Sequence, residues 1–364
     1  MIYLDNAATT QPCPEAVEAV KKAMTDCWGN PSASYSCGRE ARMALETARF
    51  QVASALGASP MEIIFTSGGT EADNHAILCG ARRQKRYGSH IISSLTEHDA
   101  VLEPLKQLSS DGFDVTLLSP DENGRISVAS VENALRDDTS FISLMLVNNE
   151  TGAINPIPEI SRLIRGRNIL LHCDCVQAMR NVPFTVRSLG ADLISVSSHK
   201  INGPKGAGAL WVKNSARLTP FIFGGGQEGG LRSGTEAVPA IAGFGAAAAR
   251  PGAGVNPRLR ELIRESFPDA VVISGSEGFS SHIFMFSLPG CKAEVLTNWL
   301  DSIGIFVSRG SACAKGRRSH VLTAMGLPAD IIDGAIRVSF SPENTEADVL
   351  TFCSELRAAK ERFF

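Results

Sequence analysis

Long apolar runs are missing from this 364-residue chain. The nearest approach, an alanine- and glycine-rich stretch over 240–249, falls far short of the roughly 20 residues that span a bilayer. It is expected to be a buried helix, and no membrane segment is expected. Excess charge is missing as well. With 35 Lys and Arg against 38 Asp and Glu, the formal net charge is −3, which argues against direct nucleic-acid binding driven by bulk electrostatics. The nine cysteines (13, 27, 37, 79, 173, 175, 291, 313 and 353) lack paired spacing. An odd, scattered set reads as reduced thiols, most of them buried as small hydrophobes. Residues 1–5 lack the basic-then-apolar layout of a secretory signal, so a cytoplasmic protein is expected. There is neither an internal repeat nor a low-complexity linker.

What is present is an alternation. Short β-rich runs at 62–66, 90–93, 113–118, 141–147 and 169–172 are separated by helical patterns such as 71–83 and 99–108. This implies βαβ units and a mostly parallel sheet covered on both faces. Before them, residues 14–27 set Val17, Val20 and Met24 on one helical face, and residues 39–56 form a second amphipathic helix ended by Gly57. After 254 the texture becomes helix, strand, strand, helix, then a strand at 336–340 and a terminal helix from about 346. The length exceeds what one core usually supports. The expectation is an α/β fold with a large domain (14–250) and a smaller α+β domain (1–13 and 251–364) packed tightly together.

Seven segments carry chemistry. Residues 195–206, Ser-Val-Ser-Ser-His-Lys-Ile-Asn-Gly-Pro-Lys-Gly, deliver Lys200 from a strand into a turn. A lysine there can hold a carbonyl cofactor as a Schiff base, provided burial or nearby positive charge keeps the amine unprotonated. A solvated lysine in a surface turn is the commoner arrangement, so the other segments must decide. Residues 66–74, Thr-Ser-Gly-Gly-Thr-Glu-Ala-Asp-Asn, follow a strand and open a helix. Gly69 and Thr70 there make a cup for a phosphate, distinct from a nucleotide P-loop because no Gly-Lys-Ser/Thr follows. Taken alone, the segment could equally be a capped helix start.

In Leu-Leu-His-Cys-Asp-Cys-Val-Gln (170–177), strand alternation puts His172 and Asp174 on one face and Cys173 and Cys175 on the other. That splits a would-be Cys/His/Asp set, and no second pair has zinc spacing, so a metal site is rejected. A carboxylate at the sheet edge suits a pyridinium nitrogen instead. His98, after the strand at 90–93, could stack on a planar ring, and Asn149, after the strand at 141–147, offers polar contacts. Strands of a parallel sheet discharge their loops on one edge, where ligands bind. A glycine-rich stretch over 224–235, ending in Thr235, could reach a phosphate.

Finally, Cys313 sits in Gly-Ser-Ala-Cys-Ala-Lys-Gly (310–316) with Arg309, Lys315, Arg317 and Arg318 nearby. Cations raise the thiolate fraction at neutral pH, which makes Cys313 the candidate nucleophile. The same basic residues could also form a solvated face or a docking patch for an acidic partner.

Together, the segments 3–10 (Tyr-Leu-Asp-Asn-Ala-Ala-Thr-Thr), 29–32, 66–74, 97–98, 148–150, 172–177, 197–200, 232–235 and 310–313 resemble, in order over nearly the whole chain, the cysteine desulfurases. These are pyridoxal phosphate enzymes of fold type I in the class V aminotransferase superfamily, and the Ser-Ala-Cys loop is similar to the group with the longer catalytic loop. The resemblance implies that Lys200 binds pyridoxal 5′-phosphate covalently and moves protons. It also implies that Asp174 pairs with the pyridine nitrogen, Gln177 with the ring hydroxyl, and that His98 stacks on the ring. Thr70, Ser197 and His199 would bind the phosphate, with Thr235 reaching across a homodimer, while Asn149 and Arg337 would hold the carboxylate of L-cysteine. Cys313 would take the sulfur as a persulfide, release L-alanine, and pass sulfur to an acceptor protein for iron–sulfur cluster assembly or tRNA thiolation.

Departures from the family pattern are Tyr35 where a histidine is usual nearby, Cys175 in place of an alanine, Arg309 beside the Gly-Ser-Ala-Cys, and a slightly shorter stretch after Cys313. Selenocysteine lysis, another class V aminotransferase activity and a non-catalytic sulfur-trafficking scaffold are the alternatives. The last is disfavoured because Lys200, Asp174 and Cys313 are all present.

Overall fold

A computed structural model describes residues 1–252, 254–309 and 318–364. Its twelve strands are β1 (Ile2–Tyr3), β2 (Ile63–Thr66), β3 (His90–Ser94), β4 (Asp114–Leu118), β5 (Thr139–Met145), β6 (Leu170–Asp174), β7 (Leu193–Ser197), β8 (Gly208–Val212), β9 (Val271–Val272), β10 (Ile283–Ser287), β11 (Ile305–Phe306) and β12 (Ala335–Ser339). Seven form one sheet in the order β2-β8-β7-β6-β5-β3-β4. Only β8 runs against the others, pairing antiparallel with both β2 and β7, so the sheet is mostly parallel, as the βαβ alternation implies. The central strands are buried along their whole length, and only the edge strand β4 is exposed along part of its length. That is why they read as continuous apolar runs.

Helices cover both faces. Helix α1 spans Pro14–Thr25 and α2 spans Ser36–Leu56. Gly57, at φ 65°, adopts the left-handed conformation that ends α2. A third helix, α3 (Gly69–Asn74), follows β2 and continues through a π-helical turn (His75–Cys79) into Gly80–Gln84. The stretch expected to be a buried helix is one, Val238–Ala249, and both α1 and α2 pack on it.

The α1 face differs from the periodic reading. Val17 and Met24 are exposed, while Ala16 and Ala23 are buried. A Cβ on Gly243 of the Val238–Ala249 helix would meet Val20 Cγ2 at 2.7 Å. The two helices approach so closely that small residues make the contact, which a hydrophobicity period cannot show.

A second core lies beyond residue 254. There β12-β10-β9 form an antiparallel sheet, and β1 pairs in parallel with β11. The helices Arg258–Ser266, Ala293–Ser302 and Glu346–Phe363 pack in this region. Two five-residue helices, His320–Ala324 and Ala329–Asp333, had no sequence signal because they are too short to show a period. The chain start belongs here too, since Asp5 bridges to Ser339. It then crosses to the large sheet, where Thr10 N donates to the His199 carbonyl at 2.9 Å. No helix among the described residues is long and apolar enough to cross a membrane.

Candidate active site

The segments leaving the C-terminal ends of β2, β3, β5, β6 and β7 converge on one sheet edge, where they line a cavity of about 220 Å³. Gly69 and Thr70 enter it after β2, His98 after β3, Asn149 after β5, and Asp174 and Gln177 at the end of β6. Ser197, His199 and Lys200 come from the end of β7, and Arg337 reaches in from β12. Ten of the sequence-derived site residues thus meet in one place. Thr235 lies exposed in its loop and is absent from this lining. Cys313 lies outside the described residues.

Asp174 is buried, and its Oδ1 accepts from the Val176 backbone N–H at 2.8 Å. Burial pushes its carboxyl pKa up, while that hydrogen bond, His98 and Lys200 pull it back. Two further buried acids flank it. Burial, together with the charge of Asp174, holds the Asp73 and Glu97 carboxyls well above the usual range. Among the three, only Asp174 has nearby cations, His98 and Lys200, that favour its charged form.

Beneath it a polar row crosses the sheet. The His172 ring meets Ser143 Oγ at 2.9 Å and Ser195 Oγ at 3.0 Å, with Asp73 Oδ1 3.5 Å away. Burial drops His172 to about 3, so it is neutral. The alternation argument holds on the opposite face, where the Cys173 and Cys175 sulfurs lie 3.5 Å apart in the apolar core. Among the described residues no cluster of His, Cys, Asp or Glu could hold a metal ion.

The phosphate cup has a shape that requires glycine. A Cβ at Gly69 would meet Val176 Cγ2 at 2.7 Å and Ser197 Cβ at 3.5 Å. Ser197 Oγ is buried with no hydrogen-bond partner, an unpaired group that a phosphate oxygen would satisfy. An acid for the ring nitrogen, a lysine for the aldehyde and an unfilled hydroxyl beside a glycine-walled cup together fit pyridoxal phosphate.

The residues that sequence reasoning missed are those of the chain start. Residues 5–10 close over the cavity and touch four of the expected site residues. Lys200 Nζ donates to the carbonyls of Ala7 (2.5 Å) and Ala8 (2.9 Å), and Gln177 Nε2 also donates to Ala7 O at 2.8 Å. Thr9 Oγ1 lies 3.1 Å from His199 Nδ1. Burial, then the charges of Lys200 and Lys205, lower His199 to about 4. Asp5 Oδ1 accepts from Arg337 Nη2 at 2.7 Å. These contacts are mostly to backbone carbonyls, which carry no residue-type signal; only the family-like run at 3–10 pointed to the segment.

The remaining predicted segments have structural tasks. Asn148 is buried and caps its turn, its Oδ1 accepting from the N–H groups of Glu150 and Thr151 at 2.9 Å each. The glycine-rich loop reaches α3 through Arg232 and Glu71 (2.8 Å) and stays out of the cavity. Around Cys313, the flanks of 310–317 are tied to the site. Ser308 and Arg337 exchange backbone hydrogen bonds of 3.1 and 2.8 Å, and Ser319 Oγ donates to Glu150 Oε2 at 2.5 Å.

Comparison with known proteins shows the family. Residues 2–352 match the family described as aminotransferase class-V. A curated relative from Bacillus subtilis (strain 168), named putative cysteine desulfurase IscS 1, is 42% identical over 363 residues, covering 96% of each chain. A solved NifS-like protein superposes with a TM-score of 0.92 at 33% identity over 100% of both chains. The structure of SspA in complex with cysteine gives a TM-score of 0.83 at 34% identity, over 95% of this chain and 100% of that one.

Proposed function

This chain belongs to the aminotransferase class-V family, among its cysteine desulfurases, and from that premise we propose that it converts L-cysteine to L-alanine and hands the sulfur to an acceptor through Cys313. One observation carries the reading to this chain's own residues: a single cavity holds Lys200, the buried acid Asp174 and the buried Arg337.

Pyridoxal phosphate, when bound, supplies an electron-withdrawing ring conjugated to the substrate. Lys200 would hold it, Asp174 would keep its nitrogen protonated, Gln177 would meet its ring hydroxyl and His98 would cover its face. Gly69, Thr70, Ser197 and His199 would hold the phosphate, with Thr235 contributed from a second copy in a homodimer.

Arg337 and Asn149 bind the substrate carboxylate, a charge-assisted pairing suited to the guanidinium fork. The Lys200 amine would move protons on the carbon skeleton. The Cys313 thiolate then attacks the substrate sulfur. An S–S bond forms, the C–S bond breaks with its electron pair leaving on carbon, and that carbon is protonated to give L-alanine. The persulfide on Cys313 passes its outer sulfur to an acceptor protein of iron–sulfur assembly or tRNA thiolation. In this reading the protein is a cytoplasmic homodimer, each chain divided into a cofactor-binding domain (14–250) and a smaller domain (1–13 and 251–364) that carries the cysteine loop.

The test is to incubate the cofactor-loaded protein with L-cysteine and a thiol reductant, measuring alanine and sulfide for wild type and Cys313→Ala. Equimolar products, abolished in the variant, are expected. Alanine that persists in Cys313→Ala overturns the nucleophile assignment, and no alanine from the loaded wild type overturns the reaction.

A further inference from the structure

The Arg337 side chain is 2% exposed, yet it already has an anion. Its Nη2 donates to Asp5 Oδ1 at 2.7 Å, and its Nη1 donates to the Asn149 carbonyl at 2.8 Å. Its Nε is buried and has no partner among the described residues. Two of the five guanidinium N–H groups are therefore engaged, and one N–H on each of Nη1 and Nη2 remains beside the buried Nε. Asp5 is itself held in place, because its backbone carbonyl accepts from the Tyr3 hydroxyl at 3.1 Å and its segment is fixed by the Ser339 bridge.

Burying an arginine without an anion is costly, and Asp5 removes that cost whether or not an amino acid is present. The same carboxylate works against the ligand. An amino-acid carboxylate arriving at Arg337 meets a cation that is already half neutralised and a second anion one guanidinium away.

We propose that Asp5 is a positioning residue, the built-in counter-ion of Arg337, which weakens the grip of the site on α-carboxylates and so speeds release of the amino-acid product. This rests on the reading of Arg337 as the carboxylate-binding arginine. It makes Asp5 set the balance between capture and release: substrate and product carry the same carboxylate, and a site gripping it at full strength would hold both. Binding both states equally well lowers KM without raising kcat.

The experiment titrates the cofactor-loaded protein with L-alanine, and separately with ethylamine, which lacks the carboxylate, reading the absorbance of the cofactor. In Asp5→Asn, which keeps a hydrogen-bond acceptor but drops the charge, the dissociation constant for L-alanine is expected to fall by about three- to tenfold. That for ethylamine stays as in wild type. With L-cysteine, KM and kcat are expected to fall together as product release slows. A merely structural role for Asp5 predicts weaker binding, so the sign decides. L-Alanine binding that is unchanged or weaker in a folded Asp5→Asn protein overturns the proposal, and Asp5→Ser repeats the test should the first variant fold poorly. Arg337→Gln, run alongside, separates the premise. If that variant binds L-alanine like wild type, the Arg337 reading fails and this proposal with it. If it loses L-alanine affinity while the Asp5 variants do not gain, only the Asp5 proposal falls.

Discussion

Glu228 and Arg49 form a two-pronged ion pair, with Nη1 to Oε2 at 2.8 Å and Nη2 to Oε1 at 2.7 Å. It pins the glycine-rich loop to α2, and Glu228 also accepts from the Phe65 N–H of β2 at 2.8 Å. The Glu228 side chain is 2% exposed, and the Arg49 guanidinium lies 4.8 Å from the centroid of the Phe65 ring. Glu228→Ala leaves the largely buried Arg49 with only the exposed Glu46 (3.2 Å) as counter-ion and leaves a strand N–H unpaired. The expected loss is about 3–5 kcal/mol, read from the midpoint of urea unfolding, with faster proteolytic cleavage within 224–235.

Gly69→Ala tests the phosphate cup. The new methyl would sit 2.7 Å from Val176 Cγ2, an overlap that the loop behind Asp174 must absorb at about 1–3 kcal/mol. The variant is expected to fold with a lowered Tm and to rebind pyridoxal 5′-phosphate more weakly after cofactor removal. Unchanged affinity on reconstitution would show that the phosphate sits elsewhere.

Lys200→Ala should abolish covalent capture of the cofactor. Borohydride treatment of the loaded wild type is expected to add one phosphopyridoxyl group, the cofactor mass less one oxygen, to the peptide containing Lys200, whereas the variant should release its cofactor on denaturation. A mass increment on any other lysine refutes the assignment.

His282 gives a pH-dependent signature. It is buried between Ser280 Oγ (2.5 Å) and Gln177 Oε1 (3.4 Å). Burial first, then the charges of Arg337, Lys200 and Arg260, lower it to about 3 from 6.5. In the folded protein it stays neutral while the unfolded chain takes up a proton below about pH 6.5, so its contribution is fully present above that pH and shrinks as pH falls towards 3. His282→Asn lacks this linkage. The stability gap between wild type and variant is therefore expected to narrow on acidification from pH 6.5, by about 1.4 kcal/mol per pH unit. A gap that does not change with pH between 7 and 4 contradicts a neutral His282.

The sequence was legible wherever chemistry depends on side-chain type at a strand end. Asp174 and Lys200 could be placed because β-rich runs end beside them, Ser197 and His199 through the family resemblance, and the observed sheet brings all four together. The parallel sheet was legible for the same reason, although the antiparallel strand β8 left no mark. Residues 5–10 were harder, since their work on Lys200 and Gln177 is done by the carbonyls of Ala7 and Ala8, which every residue possesses. The acids Asp73 and Glu97 were given no role from the sequence, and only their burial, which raises their carboxyl pKa values, sets them apart. The α1 packing was misread because alanine and glycine contribute closeness of approach while adding little hydrophobicity.

The bond between Asp5 and Arg337 joins residues 332 positions apart. A pocket built this way cannot be completed until the strand bearing Arg337 has been made, 332 positions after Asp5 in the segment that covers Lys200. Contacts of such long sequence separation form late and slowly. Refolding from denaturant should therefore restore the sheet, and with it far-UV circular dichroism, before it restores cofactor capture. During that interval the opening segment of the chain has no docking site and offers its backbone to proteases.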